Sequence, residues 1–204
     1  MDVSEATNFI KKQNMFIVTF IGYSGAGYED KTAMLALAKT ELEELLISHR
    51  LEDTHVCIGA TADGIGEIYP LAKSMGFKTL GIVSSEAIKY KESLSNSVDT
   101  VIYVKDNSWG GFIPGNPSTL SPTSEVIVNT SDQVIAIGGG AVGRDELLSF
   151  IQTGKNWKFY FAEMNHKNTI KTACKKNLPR PIDYSGETYR GLYEKGYFNY
   201  SYFP

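Results

Sequence analysis

Glycines and carboxylates follow an apolar run in residues 133–147, QVIAIGGGAVGRDEL. Three glycines, Gly138, Gly139 and Gly140, end the run, and Glu146 comes shortly after them. Glycine allows positive φ and lets a phosphate approach the backbone N–H groups without a Cβ in the way. A carboxylate beside a ribose can stabilise the oxocarbenium-like transition state of N-glycosidic cleavage. The segment is therefore consistent with a nucleotide-binding site, with an N-glycosidase, or with a tight turn whose acid complements a helix dipole.

Two further glycine-rich loops, residues 22–27 and 59–66, also follow apolar runs. A helix N-terminus after such a loop adds partial positive charge. One loop alone would be interpreted as a tight turn, but three at one sheet edge favour an anionic, nucleotide-like ligand. The predicted ligand-binding or phosphate-binding residues are Gly22, Tyr23, Ser24, Gly25, Gly59, Gly64, Gly138, Gly139, Gly140, Gly143 and Arg144.

Known nucleotide motifs narrow the choice of ligand. No Gly-Lys-Ser/Thr follows any of these glycines, so the chain has no Walker loop. No G-x-G-x-x-G is followed by an acid at the end of the second strand, so bound NAD is not supported. We expect no cofactor, and His55, His166 and Cys174 lack metal-ligand spacing, so we expect no metal site.

The loops must be positioned by alternating strands and helices. Apolar runs predict strands at 15–21, 55–58, 78–83, 100–104, 133–137 and 157–162. Helical spacing predicts helices at 30–49, 65–75, 123–130 and 145–152, and a Gly- and Pro-rich composition predicts a loop at 106–122. Strands that are apolar on both faces imply a mostly parallel sheet. The predicted fold is α/β, Rossmann-like and doubly wound, with helices on both faces and ligands outside the carboxyl ends of the strands.

The chain divides into two parts by composition. Residues 1–176 are predicted to form a single domain, and residues 177–204 an aromatic-rich tail that packs on the domain or on a partner subunit. The formal net charge of −3 argues against a nucleic-acid partner. The chain has only two cysteines and no secretory pattern at its N-terminus, which predicts a cytoplasmic protein. It has no long apolar run, so we expect no membrane partner.

Residues 131–147, SDQVIAIGGGAVGRDEL, resemble the segment of the Lonely Guy family that ends in P-G-G-x-G-T-x-x-E. Residues 58–67, IGATADGIGE, are similar to that family's Y-G-G-G-x-x-G-L-M-G, and residues 72–83 to its next helix and strand. These cytokinin-activating phosphoribohydrolases, often mislabelled lysine decarboxylases, belong to the SLOG superfamily of Rossmann-like domains. The resemblance covers about residues 15–165 and implies a homodimer or larger homo-oligomer.

The resemblance also assigns roles to individual residues. Gly139 and Gly140 match the paired glycines, Glu146 matches the catalytic glutamate, and Ser24 stands where the first phosphate loop carries its serine. Thr123 and Ser124 stand where the family has an Arg-Lys pair.

Three other departures lie in the glycine segment, where Gly138, Val142 and Gly143 replace the family's proline, glycine and threonine. Arg144 is the nearest substitute for the missing arginine. The departures favour nucleotide binding without turnover, and cleavage of a nucleoside 5′-monophosphate by a phosphoribohydrolase-like N-glycosidase is the alternative.

Three side chains have more than one interpretation. Trp109, in the Gly-rich loop, is either a base-stacking platform or a loop anchor. Asp145 and Glu146 are adjacent on a predicted helix and point about 100° apart, so only one of them is expected to face the site.

Overall fold

The computed structural model describes residues 1–198. Their regular elements are, in chain order, α1 (Val3–Lys11), β1 (Phe16–Gly22), α2 (Lys31–Ser48), β2 (Thr54–Ile58), α3 (Ile68–Ser74), β3 (Lys78–Ser84), α4 (Glu86–Lys89), β4 (Thr100–Val104), β5 (Phe112–Ile113), β6 (Asn116–Leu120), α5 (Pro122–Thr130), β7 (Gln133–Ile137), α6 (Ala141–Ile151), β8 (Asn156–Tyr160), α7 (His166–Lys175) and α8 (Glu187–Glu194). Short 3₁₀ turns at Leu51–Asp53 and Gly64–Glu67 precede β2 and α3.

Six strands form one parallel sheet in the order β4-β3-β2-β1-β7-β8. The chain winds outward from β1 to β4, and then returns to place β7 on the other side of β1. The strand order therefore reverses between β1 and β7, which makes their carboxyl ends the place where ligands bind in such sheets. The predicted α/β Rossmann-like fold is confirmed.

Helices cover both faces of the sheet because side chains alternate along each strand. On one face, Val18 and Phe20 of β1 pack in a core with α2 and α3. On the other face, Ile17 packs in a core with α1 and α5, and Ile21 in a core with α6 and α8. All four of these β1 side chains are buried, as expected for a central parallel strand.

The structure differs from the sequence-based prediction in three respects. α6 begins at Ala141, not at residue 145, because Gly140 is its N-cap and residues 141–144 are already helical. Residues 106–122, predicted as a loop, contain the antiparallel hairpin β5–β6. Helices α1, α4, α7 and α8 were not predicted. α1 is fixed by a capping box between Asp2 and Glu5.

The C-terminal part of the described chain lies against α6 and β8. Leu192 of α8 is fully buried in the core that contains Leu147 and Phe150 of α6, and the ring of Phe198 packs 5.4 Å from that of Phe159. The predicted tail extends to residue 204, so its last six residues lie outside the described residues. Among the helices of residues 1–198, none is long and apolar enough to cross a bilayer.

Candidate functional site

A cavity of about 660 Å³ opens at the carboxyl ends of β1, β2 and β3. Its floor is made by residues 19–22, 58–59 and 82–84, and its walls by residues from the loops and helices that follow these strands. Of the predicted site residues, the cavity is lined by Gly22, Ser24, Gly25, Gly59, Gly143 and Glu146. The lining contains apolar side chains, such as Ile58, Ile82 and Ile127, as well as polar ones.

The first two glycine loops are fastened to each other. Ile65 N donates a 2.7 Å hydrogen bond to Tyr23 O. Gly64 has a φ of +61°, and a Cβ there would lie 2.1 Å from Tyr23 O, so only glycine allows this approach. Ser24 and Gly25 lie exposed at the rim. The contact therefore holds the Ser24–Gly25 backbone in place over the cavity.

The triple glycine has a different neighbour, the segment that leads into α8. Thr188 N donates to Gly139 O at 3.1 Å, and Gly139 has a φ of +131°. The Tyr23 hydroxyl is buried 3.0 Å from both Ala162 O and Ser185 O. Burial raises the pKa of Tyr23 to about 12. The structure thus places Tyr23, Gly64, Gly138, Gly139 and Gly140 outside the cavity lining, where they shape the loops.

Glu146 lies in the cavity wall and is 7% exposed. Ser124 Oγ donates a 2.6 Å hydrogen bond to Glu146 Oε1 and accepts one from Gly111 N at 2.8 Å. Burial raises the pKa of Glu146 to about 7, against the hydrogen bond from Ser124 and together with the charge of Asp145. At neutral pH this carboxyl group can therefore accept or donate a proton.

Asp145 and Arg144 point elsewhere. Asp145 Oδ2 accepts a 2.9 Å hydrogen bond from Phe112 N, and its Oδ1 accepts one from Arg144 Nε at 2.8 Å. The Arg144 guanidinium also pairs with Glu187 in the first turn of α8. Since Arg144 is not among the cavity-lining residues, it does not replace the arginine that the Lonely Guy motif places beside the glutamate.

Thr123 and Ser124 stand at the motif positions of that family's basic pair. Here they contact the loop that carries the cavity-lining Trp109. Thr123 N donates to Asp106 Oδ2 at 2.9 Å, and the same carboxylate accepts from Ser108 N at 2.8 Å. Among the described residues that line the cavity, Lys91 is the one basic side chain. The glutamate here faces a serine hydroxyl and not a guanidinium.

Sequence reasoning missed one part of the wall. Ala87 and residues 91–94 line the cavity, although the segment after β3 carries no glycine-rich signal. Trp109, for which the sequence offers two roles, lines the cavity as well. Trp109 is 51% exposed, and its ring lies 5.9 Å from that of Tyr90. The two rings form an aromatic pair, of which Trp109 belongs to the cavity lining and Tyr90 does not.

No protein-family model matches the sequence, and no curated protein matches it. The resemblance to the Lonely Guy family therefore stays a prediction from motifs.

Several solved structures are similar to this chain. A molybdenum cofactor binding protein from Rippkaea orientalis is 19% identical, with 89% of this chain and 96% of that chain covered and a TM-score of 0.49. The Moco carrier protein from Chlamydomonas reinhardtii is 16% identical, with 72% and 76% covered and a TM-score of 0.49. The structural genomics target TM1055 is 22% identical, with 70% and 72% covered and a TM-score of 0.48. Identities this low say nothing about a shared ligand.

Proposed function

We propose that this protein binds a nucleotide or nucleotide-derived ligand in the cavity and does not turn it over. The observation that carries the proposal is the position of the cavity at the carboxyl ends of β1, β2 and β3, beside the reversal of strand order. Doubly wound sheets bind nucleotides at this place. The volume of about 660 Å³ lies in the range of small-molecule sites.

The phosphate of such a ligand has two sources of N–H groups. Ser24 and Gly25 line the rim, and a Cβ at Gly25 would meet no heavy atom within 4 Å. The first turn of α6 adds N–H groups without intrahelical partners and the positive end of the helix dipole. Val142 and Gly143 of that turn line the same cavity. Both features favour an anionic group at this end.

Binding without turnover follows from the surroundings of Glu146. In a phosphoribohydrolase-like reaction the carboxylate must be ionised to stabilise the positive ribose. Here one oxygen is occupied by Ser124, and burial keeps the group close to half-protonated at neutral pH. No arginine is present among the described residues of the lining.

Cleavage of a nucleoside 5′-monophosphate is the second candidate function. The observation that favours it is that the buried Glu146 carboxyl group is part of the cavity lining. We also propose that the protein works as a homodimer in the cytoplasm. A monomer by light scattering at micromolar concentration would contradict the dimer.

Thermal shift with the four nucleoside 5′-monophosphates tests binding, and chromatography of the same mixtures tests turnover. We expect stabilisation without release of free base. Gly25→Ala should weaken the stabilisation, because its new methyl group enters the space of the phosphate. Ser48→Thr is the control, because it also adds one methyl group but at an exposed position at the end of α2, outside the lining.

The outcomes separate the two functions. If the wild type releases free base and Glu146→Ala does not, the protein is an N-glycosidase and the proposal of binding without turnover is wrong. The absence of stabilisation by any of the four nucleotides would contradict both.

A further inference from the structure

The loop that carries Trp109 is anchored without any help from the tryptophan side chain. Ser108 N and Oγ donate to Asp106 Oδ1, both at 2.8 Å. Gly111 N donates to Ser124 Oγ, and Phe112 N donates to Asp145 Oδ2. Backbone N–H groups on both sides of Trp109 are therefore fixed by buried acceptors. A tryptophan that anchored the loop would have its ring in the core, so this arrangement argues against a loop anchor at Trp109.

Trp109 is instead half exposed at the cavity mouth. Exposure of so large an aromatic side chain is unfavourable, because burial of its ring would stabilise the fold. Exposed apolar surface beside a cavity with polar groups is typical of a ligand site. The neighbouring Tyr90 ring, 57% exposed and tilted by 34° to the tryptophan, extends this apolar surface.

The backbone next to Trp109 also runs beside Glu146. Gly110 and Gly111 have φ values of +108° and +82°, and a Cβ at Gly110 would lie 3.7 Å from Glu146 Oε1. A Cβ there would also lie 2.9 Å from the Val142 side chain, so the two glycines permit this close approach. A planar ring placed against Trp109 would thus have a carboxyl group near its edge.

We propose that Trp109 is a base-stacking residue of the site, which holds the planar heteroaromatic ring of the ligand at the cavity mouth with its polar edge towards Glu146. This inference rests on the proposed function and adds the residue that selects for a base. The ligand class is then a nucleoside phosphate or another phosphate ester with a planar heterocycle, which should bind more tightly than a sugar phosphate alone. Purines, which offer more ring surface, should bind more tightly than pyrimidines.

Calorimetric titration with the four nucleoside 5′-monophosphates and with ribose 5-phosphate tests the inference. Trp109→Ala should weaken nucleotide binding by about tenfold, the usual effect of losing one stacked base. Binding of ribose 5-phosphate should stay unchanged, because it has no ring to stack. Trp109→Phe should retain most of the affinity, because phenylalanine keeps an aromatic face.

Tryptophan fluorescence gives an independent readout, since the chain has two tryptophans and the second, Trp157, lies on β8 at the far edge of the sheet. In Trp157→Phe, nucleotides should quench the emission of Trp109 with the midpoint found by calorimetry. In Trp109→Phe they should leave the emission of Trp157 unchanged.

Equal nucleotide affinity of the wild type and Trp109→Ala would overturn the stacking role while the proposed function stands. A failure of the wild type to bind any nucleotide would overturn both. If Trp109→Ala loses ribose 5-phosphate as well, its cavity has collapsed and Trp109→Phe decides. Stacking is supported if Trp109→Phe binds nucleotides with near-wild-type affinity and binds them more tightly than ribose 5-phosphate. Loss of either property rejects stacking. A change of oligomeric state in both variants would also reject it, because the ring would then belong to a subunit interface.

Discussion

Replacing Glu146 with glutamine removes an ionisable group that the fold buries almost completely, while the side-chain oxygen that accepts from Ser124 is kept. The pKa of this carboxyl group rises on folding from 4.5 to about 7. Between these pH values the native state binds more protons than the unfolded chain, so stability falls as the pH rises and stays low above pH 7. The rise of the pKa corresponds to about 3 kcal/mol of unfolding free energy.

Urea denaturation of the wild type and Glu146→Gln at a series of pH values measures this effect. All other titrating groups are common to both proteins and cancel in the difference. From about pH 5 to about pH 8, the unfolding free energy of the variant should gain roughly 2 to 3 kcal/mol over that of the wild type. Two parallel stability curves would refute the reasoning, because they would show that the carboxyl group has an ordinary pKa and is open to water.

Other substitutions test the contacts that shape the site. Gly139→Ala should cost about 2 kcal/mol of unfolding free energy by urea denaturation, because its φ of +131° suits only glycine, whereas Gly140→Ala should stay within about 0.5 kcal/mol of the wild type; equal costs would contradict this. Lys158→Ala should cost about 3 kcal/mol, because it leaves the Glu41 carboxylate, 2% exposed, without its cation; a neutral effect by thermal denaturation would show that Glu41 is not buried. Tyr23→Phe should cost about 1 kcal/mol and speed hydrogen exchange in residues 185–188, and unchanged exchange would show that the hydroxyl does not hold this segment.

The parallel sheet could be predicted from the sequence because its strands are buried on both faces. β7 begins and ends at the predicted residues, Gln133–Ile137, since the apolar run is bounded by polar residues and by glycine. The start of α6 was missed because Gly143 has a low helix propensity. In the structure that glycine is required inside the helix, where a Cβ would lie 2.6 Å from Ile21.

The contents of the cavity could be predicted only in part. Ser24, Gly25, Gly59 and Glu146 follow strands whose carboxyl ends meet at one edge, so topology alone brings them together. The bond between Ser124 and Glu146 joins residues 22 positions apart on two helices, and no periodicity encodes it. The loop that carries Trp109 is held by the buried carboxylates of Asp106 and Asp145, which accept hydrogen bonds from its backbone N–H groups. Such contacts leave no pattern in the composition.

Binding of a nucleotide in the cavity can be tested by calorimetric titration of a variant whose cavity is blocked. Val142→Trp places a large ring in the first turn of α6, at a position that lines the cavity and is 36% exposed. Ile47→Trp, at an 89% exposed position of α2, is the matched control. We predict that the wild type and Ile47→Trp bind at least one nucleoside 5′-monophosphate with equal affinity and that Val142→Trp binds none. Equal binding by all three proteins, or no binding by the wild type, would contradict the claim.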